Sequence, residues 1–270
     1  MIRTQIFKVR EERDTALLEL MLLAVHVDGR VAESSVHAVL RHVRESPEFQ
    51  GESPEVLEGR LRRSAATMAS ASDEAIFASL RQRLPDERNR LLAYGLAAKV
   101  IVSEAELPNP SEVHQLSRLQ LGLEVSPSQA RAMLSGLAEG TSPTEVASEP
   151  SDLLSARVLE LVLLSVGLDA CLSPAEIHAL NEAREDLPQL WKLGGQMLRR
   201  RVFGCQLEAP LEAVQRQLEG LAIVPSTLAS RREALRLAVR FSEAIGHGLP
   251  QELLLCFVQE LFGLTHDDDV

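Results

Sequence analysis

The chain repeats itself. With a shift of 141 residues, Leu18-Glu19-Leu20-Met21-Leu22-Leu23-Ala24-Val25 falls on Leu159-Glu160-Leu161-Val162-Leu163-Leu164-Ser165-Val166, and six of those eight positions are identical. The same shift pairs Asp28 with Asp169, His37-Ala38 with His178-Ala179, Leu96-Ala97 with Leu237-Ala238, and Gly122-Leu123 with Gly263-Leu264. The period is too long for a solenoid unit and suits a duplicated domain. The centres of the two copies align poorly, so divergence is greatest there. Between the copies, Ala138 to Pro150 is small, polar and proline-bearing, the composition of a linker. The expected organisation is a first helical domain over 1–138, a linker over 139–152, a second, diverged helical domain over 153–265, and an acidic tail at 266–270.

The period inside each copy is helical. Leu18, Met21, Leu22 and Val25 fall at i, i+3, i+4 and i+7, and Leu159, Val162, Leu163 and Val166 repeat that stripe. Val36, Val39, Leu40 and Val43 form another stripe after a break at Asp28-Gly29, where glycine can end a helix. Ser126-Pro127-Ser128-Gln129, Ser142-Pro143-Thr144-Glu145 and Ser173-Pro174-Ala175-Glu176 each read as a capping box with proline at the first helical position. Further helices are predicted at about 54–69, 73–83, 86–102, 110–121 and 127–138, and in the second copy at about 187–202, 209–221, 229–245 and 250–262. Each copy is expected to be a bundle of helices.

Composition agrees with this reading and narrows the partners. Apolar residues make up 45% and charged residues 25%, the balance of a soluble globular protein, while only 3% are aromatic, which leaves little material for strands. The fold class is therefore all-α. The net charge of −11 divides unevenly, with 17 basic against 20 acidic residues in 1–140 (−3) and 11 against 19 in 141–270 (−8). A field of that sign repels phosphate backbones, so nucleic acid is not an expected partner. The basic runs Arg60, Arg62, Arg63 and Arg199, Arg200, Arg201 read as solvated helix faces or as patches for an acidic protein partner. Cys171, Cys205 and Cys256 are widely spaced and read as small buried residues in a reducing cytoplasm. Met1 to Asp14 is charged and lacks the apolar core of a signal peptide, so a cytoplasmic location is expected. The apolar stretches Leu17 to Val27 and Val158 to Leu168 are short and are interrupted by Glu19 and Glu160, so no transmembrane segment is expected.

A greasy helix ending in Asp-Gly, an acidic residue about seven positions later opening the next helix, and a later helix pair finishing in Leu-Gly-Leu together resemble the TerB-like family. This family is named for a tellurite-resistance protein and includes the amino-terminal domain of a membrane-associated J-protein. The resemblance covers residues 15–138 best and 156–265 less well. It implies a stress-response protein without enzymatic activity that binds protein partners, membrane-associated stress proteins among them. It also implies clustered acids at the inter-helix turns that hold a divalent cation, Ca²⁺ or Mg²⁺, although nothing requires a cofactor. The first copy keeps Asp28 and Gly29 but has Ser35 where the family has Glu; the second keeps Asp169 and Glu176 but has Ala170 for the glycine. At the later turns Glu104, Glu106 and Glu112 survive without the glycine in the first copy, and Glu252 alone in the second.

Calcium takes six to eight oxygens from a loop able to bend around it. The candidate metal ligands are accordingly Asp28, Glu104, Glu106 and Glu112 in the first copy, and Asp169, Glu176 and Glu252 in the second. The plainer alternative is that Asp28 and Asp169 stabilise their turns by local hydrogen bonds and that Glu176 caps a helix. His37 and His178 lack the spacing of a zinc site, the tail His266-Asp267-Asp268-Asp269 reads as solvated, and Trp191 reads as a partly buried anchor. No catalytic residues are assigned. Two alternatives stand beside the interaction protein: a metal-dependent enzyme using the acidic inter-helix cluster, and a purely structural assembly subunit.

Overall fold

Local chemistry sets most of the helix boundaries. The computed structural model describes residues 2–25, 33–49, 52–69, 71–102, 109–166, 210–245 and 249–264. All regular secondary structure among them is helical. The helices are α1 (Ile2–Ala24), α2 (Glu33–Glu45), α3 (Pro54–Met68), α4 (Asp73–Arg83), α5 (Glu87–Ile101), α6 (Pro110–Gly122), α7 (Pro127–Ala138), α8 (Pro143–Ala147), α9 (Ser151–Val166), α10 (Pro210–Ile223), α11 (Leu228–Ile245) and α12 (Leu249–Phe262), with a 3-10 turn at Pro47–Phe49. Every helix predicted by spacing within the described residues is present; the helix opened by the Ser173/Glu176 box and the one expected at 187–202 lie outside them.

Caps account for the starts. Ser53, Ser72, Asp86, Asn109, Ser126 and Ser142 each accept a backbone N–H from the first turn of the following helix, and proline opens α3, α6, α7 and α8. The capping boxes expected at Ser126/Gln129 and Ser142/Glu145 are formed. A third, Asn109/Glu112, joins them.

The chain divides into two compact units, Lys8–Ser148 and Met1–Phe7 with Glu149–Val270. In the first, α5 is the central helix. It buries residues on all sides, among them Leu92, Ala93, Tyr94, Leu96, Ala97 and Ala98, as a helix enclosed by others must. Gly95 lets α7 and α8 approach it, because a Cβ there would lie 2.5 Å from Met133 Sδ and 2.9 Å from Pro143 Cβ. The stretch read as a linker thus has structure of its own: α8 packs on α5 and α7 and buries Pro143, Thr144 and Ala147.

In the second unit, α9 packs against α10, α11 and α12 over a cluster containing Val158, Leu161, Val162, Ala238, Phe241 and Val258. Residues 1–7 belong with this unit. Ile6 is fully buried in its cluster, Phe7 meets Phe257 edge to face at 6.1 Å between centroids, and Arg3 pairs with Glu260. Cys256 is exposed rather than buried, since the core face of α12 runs through Leu255, Val258 and Phe262 and bypasses it. Cys171 and Cys205 lie outside the described residues.

The two units can be compared cap by cap. Asn89 N–H donates to the Asp86 carboxylate at 3.3 Å at the start of α5, and Ser230 N–H donates to the Thr227 hydroxyl at 3.1 Å at the start of α11. Both residues of each pair differ by 141, the shift read from the sequence. Ala93 and Ala234, and Ala97 and Ala238, are buried at the same spacing.

The C-terminal caps of α6 and α12 differ from expectation. α6 ends with Glu124 at φ 57° and Val125 N–H donating to Gln120 O at 3.0 Å; α12 ends with Gly263 at φ 67° and Leu264 N–H donating to Gln259 O at 3.1 Å. Both are Schellman caps. They set Glu124 opposite Gly263, a spacing of 139, so the sequence match of Gly122 to Gly263 is not the structural one. Gly122 has a separate reason to be glycine: a Cβ there would lie 2.4 Å from the Phe77 ring.

Candidate functional site

Of the seven acids proposed as metal ligands, Glu112 and Glu252 fall within the described residues; Asp28, Glu104, Glu106, Asp169 and Glu176 lie outside them. The Glu112 carboxylate accepts from Asn109 N–H at 2.8 Å, closing the cap of α6. Glu252 is exposed in the first turn of α12, where an acid complements the helix dipole. Both positions are thus accounted for by helix starts. Among the described residues, no group of three or more His, Cys, Asp or Glu side chains is arranged to hold a metal ion.

His37 is exposed on α2, while His178, Trp191 and the tail at 266–270 lie outside the described residues. Arg60, read as a solvated cation, is only 14% exposed and pairs with Glu52 at 2.9 Å and Glu11 at 3.5 Å. Arg62 pairs with Glu58 one turn away at 2.8 Å. Arg199, Arg200 and Arg201 lie outside the described residues. No helix among the described residues is long and apolar enough to cross a membrane.

A dense polar construction among the described residues of the first unit is one that sequence reasoning missed. Arg13 and Asp14 sit on α1 and are 4% and 3% exposed at their side chains; Glu48 on the 3-10 turn is 1% exposed. The Arg13 guanidinium donates in three directions: Nη1 to Asp14 at 3.1 Å, Nη2 to Glu48, and Nε to Asn89 Oδ1 at 2.9 Å. Arg10 approaches Asp14 from one turn earlier at 3.8 Å. α1, the 3-10 turn and the start of α5 are thereby tied at one guanidinium.

Burial opposes charge on Arg13, but Glu48 and Asp14 outweigh it and raise its pKa above the ordinary arginine value. Asp14 behaves differently. Burial pushes its carboxyl up to about 6, against the pull of Arg13 and Arg10 and with the help of Glu48 and Glu52. Two buried carboxylates share one buried guanidinium, so desolvation is incompletely offset.

The sequence held a signal for this. Stepping the stripe Leu18, Met21, Val25 back one turn lands on Asp14, so its burial follows from helical period alone. Charge obscured it, because Arg13 and Asp14 end a run of charged residues that reads as surface.

A second intrusion of charge occurs further along α1. Glu19 pairs with Arg83 of α4 and accepts from the buried Ser64 hydroxyl of α3 at 3.5 Å. At the end of α1, Gln115 of α6 donates to the carbonyls of Leu23 and Ala24, both at 3.0 Å. These bonds satisfy carbonyls that a helix end leaves open. The first unit is therefore cross-tied by polar side chains along the length of α1.

No protein-family model, curated protein or solved structure matches this chain.

Proposed function

We propose that the chain is a non-enzymatic, cytoplasmic interaction protein built from two tandem, diverged TerB-like helical bundles that dock protein partners in a stress response. One observation carries the reading of duplication: the caps of α5 and α11 stand 141 residues apart, the shift found in the sequence, with alanines buried at the same spacing on both helices. An insertion or deletion of two residues between the start of α5 and the end of α6, relative to α11 and α12, accounts for the spacing of 139 at their C-terminal caps. The acidic surplus, −8 in residues 141–270 against −3 in 1–140 (11 basic and 19 acidic, 17 basic and 20 acidic), suits basic protein surfaces as partners and gives the two copies different roles.

A divalent cation at the acidic turn is the accessory part of this proposal. Asp28 and Asp169 are its central ligands, and Glu112 can contribute only while also closing the cap of α6. The test is a titration of Ca²⁺, Mg²⁺, Mn²⁺ and Zn²⁺ against the melting temperature of the full chain, with Asp28→Asn and Asp169→Asn beside it. A rise with Ca²⁺ or Mg²⁺ that either variant removes supports the cation. A melting temperature that no cation moves sinks that part and leaves the interaction protein. Capture on the immobilised full chain, from the cytoplasm and from the membrane fraction, tests the rest: specific retention of one protein supports it, and retention of none in either fraction overturns it.

A further inference from the structure

We propose that α1 couples the stability of the two units: opening of the first strips the second of Arg3, Ile6 and Phe7, because those residues are helical only while the rest of α1 is held. The starting point is chain connectivity. α1 is one unbroken helix over Ile2–Ala24, yet its residues up to Phe7 belong to one unit and those from Lys8 onward to the other. At its start, Ile6 is fully buried in the core of the second unit and Phe7 meets Phe257 edge to face. Arg3 pairs with Glu260 and lies over the Phe7 ring, 5.9 Å from its centroid. At its other end, Ala16, Leu17, Leu18 and Leu20 to Leu23 are at most 1% exposed in the core of the first unit.

Between these anchors, Lys8, Glu11 and Glu12 are exposed and Val9 and Arg10 are half-buried. Their ion pairs run along α1, from Lys8 to Glu12 and from Arg10 to Asp14, or to Arg60 of the first unit, from Glu11. Residues 2–7 make under two helical turns, and a helix that short carries the full cost of nucleation with few bonds to offset it. They are helical because residues 8–24 continue the same hydrogen-bond ladder, and the first core fixes that ladder. When the first unit opens, the template is lost, the segment leaves the second core, and Ile6 returns to water.

The converse holds by linkage. Whatever Ile6 contributes to closing the second unit, it contributes equally to keeping the first one closed. A substitution at Ile6, packed in the core of the second unit, should therefore loosen both units by the same factor.

The test is native-state hydrogen exchange of the full chain in low urea, read peptide by peptide in α5 and α11, whose core faces are buried. Ile6→Ala should speed exchange in α11 and α5 alike, by roughly thirtyfold or more. Val258→Ala is the companion. Val258 is fully buried in the same core but lies on α12, so its truncation should speed α11 and leave α5 unchanged. Ile6→Val should show the two-sided pattern with a smaller factor, and it serves in place of the alanine variant should that one not fold. Acceleration of α11 alone by the Ile6 variants would overturn the proposal, since the segment would then stay docked without the first unit. Equal acceleration of α5 by Val258→Ala would also overturn it, because the coupling would then owe nothing particular to α1. No acceleration in either helix would do the same.

Discussion

Where the first unit buries Arg13 and Asp14, the second buries Leu154 and Ser155, the residues 141 positions later. The 141-residue shift thus pairs an ion cluster in one unit with hydrocarbon and a hydroxyl in the other. The pair Glu19 and Glu160 makes the same point with the residue held constant. Glu19 has Arg83 and Ser64 as partners. Glu160 has a hydrogen bond from Gln217 and the field of Arg157, and burial raises its pKa despite both. An acid on an apolar helix can thus be settled by a cation or by keeping its proton longer, and the two glutamates paired by the 141-residue shift use different solutions.

The largest way to break the comparison is Arg13→Leu. It copies the second unit at one position only and leaves Asp14 and Glu48 without their shared cation, at a cost of about 3–5 kcal/mol in urea unfolding. Removing the two acids as well, in Arg13→Leu with Asp14→Ser and Glu48→Gln, should recover most of that loss. A triple variant as unstable as the single one would mean that packing, not uncompensated charge, sets the cost.

Next in size is Gly95→Ala, at about 1–3 kcal/mol. The new methyl meets Met133, which can move, and Pro143, which cannot move without displacing α8. Calorimetry of the full chain should show the loss in one transition if the two units melt separately.

Smaller still is the contrast at the two glutamates. Glu19→Gln should cost about 1.5–3 kcal/mol at neutral pH, the range for a hydrogen bond to a charged group, with its part exposure placing it at the low end. Glu160→Gln should raise the melting temperature at neutral pH. Its gain should fade as pH drops towards the unfolded carboxylate value, because the parent's raised pKa disfavours the charged form that neutral pH imposes. Opposite signs for the two substitutions at pH 7 are the expected result; equal signs would dissolve the contrast.

The smallest effect concerns the Schellman caps of α6 and α12. Glu124 occupies a left-handed conformation that Gly263 fills without strain, so Glu124→Gly should stabilise by about 0.5–1 kcal/mol and Gly263→Ala should destabilise by about the same. The contact of Glu124 with Arg81 at 3.5 Å is solvent-exposed and reduces the gain only slightly.

Helix starts were legible because their chemistry is local. Ser126-Pro127-Ser128-Gln129 specifies its own cap, and α7 begins where those four residues put it. The cross-ties were not legible, because they join residues far apart in sequence: Arg13 to Glu48 and Asn89, Glu19 to Arg83, Gln115 to Leu23. Of the candidate acids, Glu112 could be recognised as a cap from Asn109-Pro110-Ser111-Glu112, the same pattern read correctly at Ser126 and Ser142. The terminal register could not. Gly122 and Gly263 match as letters but serve different needs, one making room for Phe77 and the other turning the chain.

The membership of residues 1–7 in the second unit bears on how the chain is born. Lys8–Ser148 is a contiguous segment, and its core can close as soon as it has emerged from the ribosome. The other unit needs Ile6, synthesised before that segment, and helices from α9 onward, synthesised after it. Its closure spans the whole of the first unit, a long loop whose entropic cost falls once the intervening segment has already folded. Order along the chain and membership of the bundle therefore agree for one unit and are interleaved for the other.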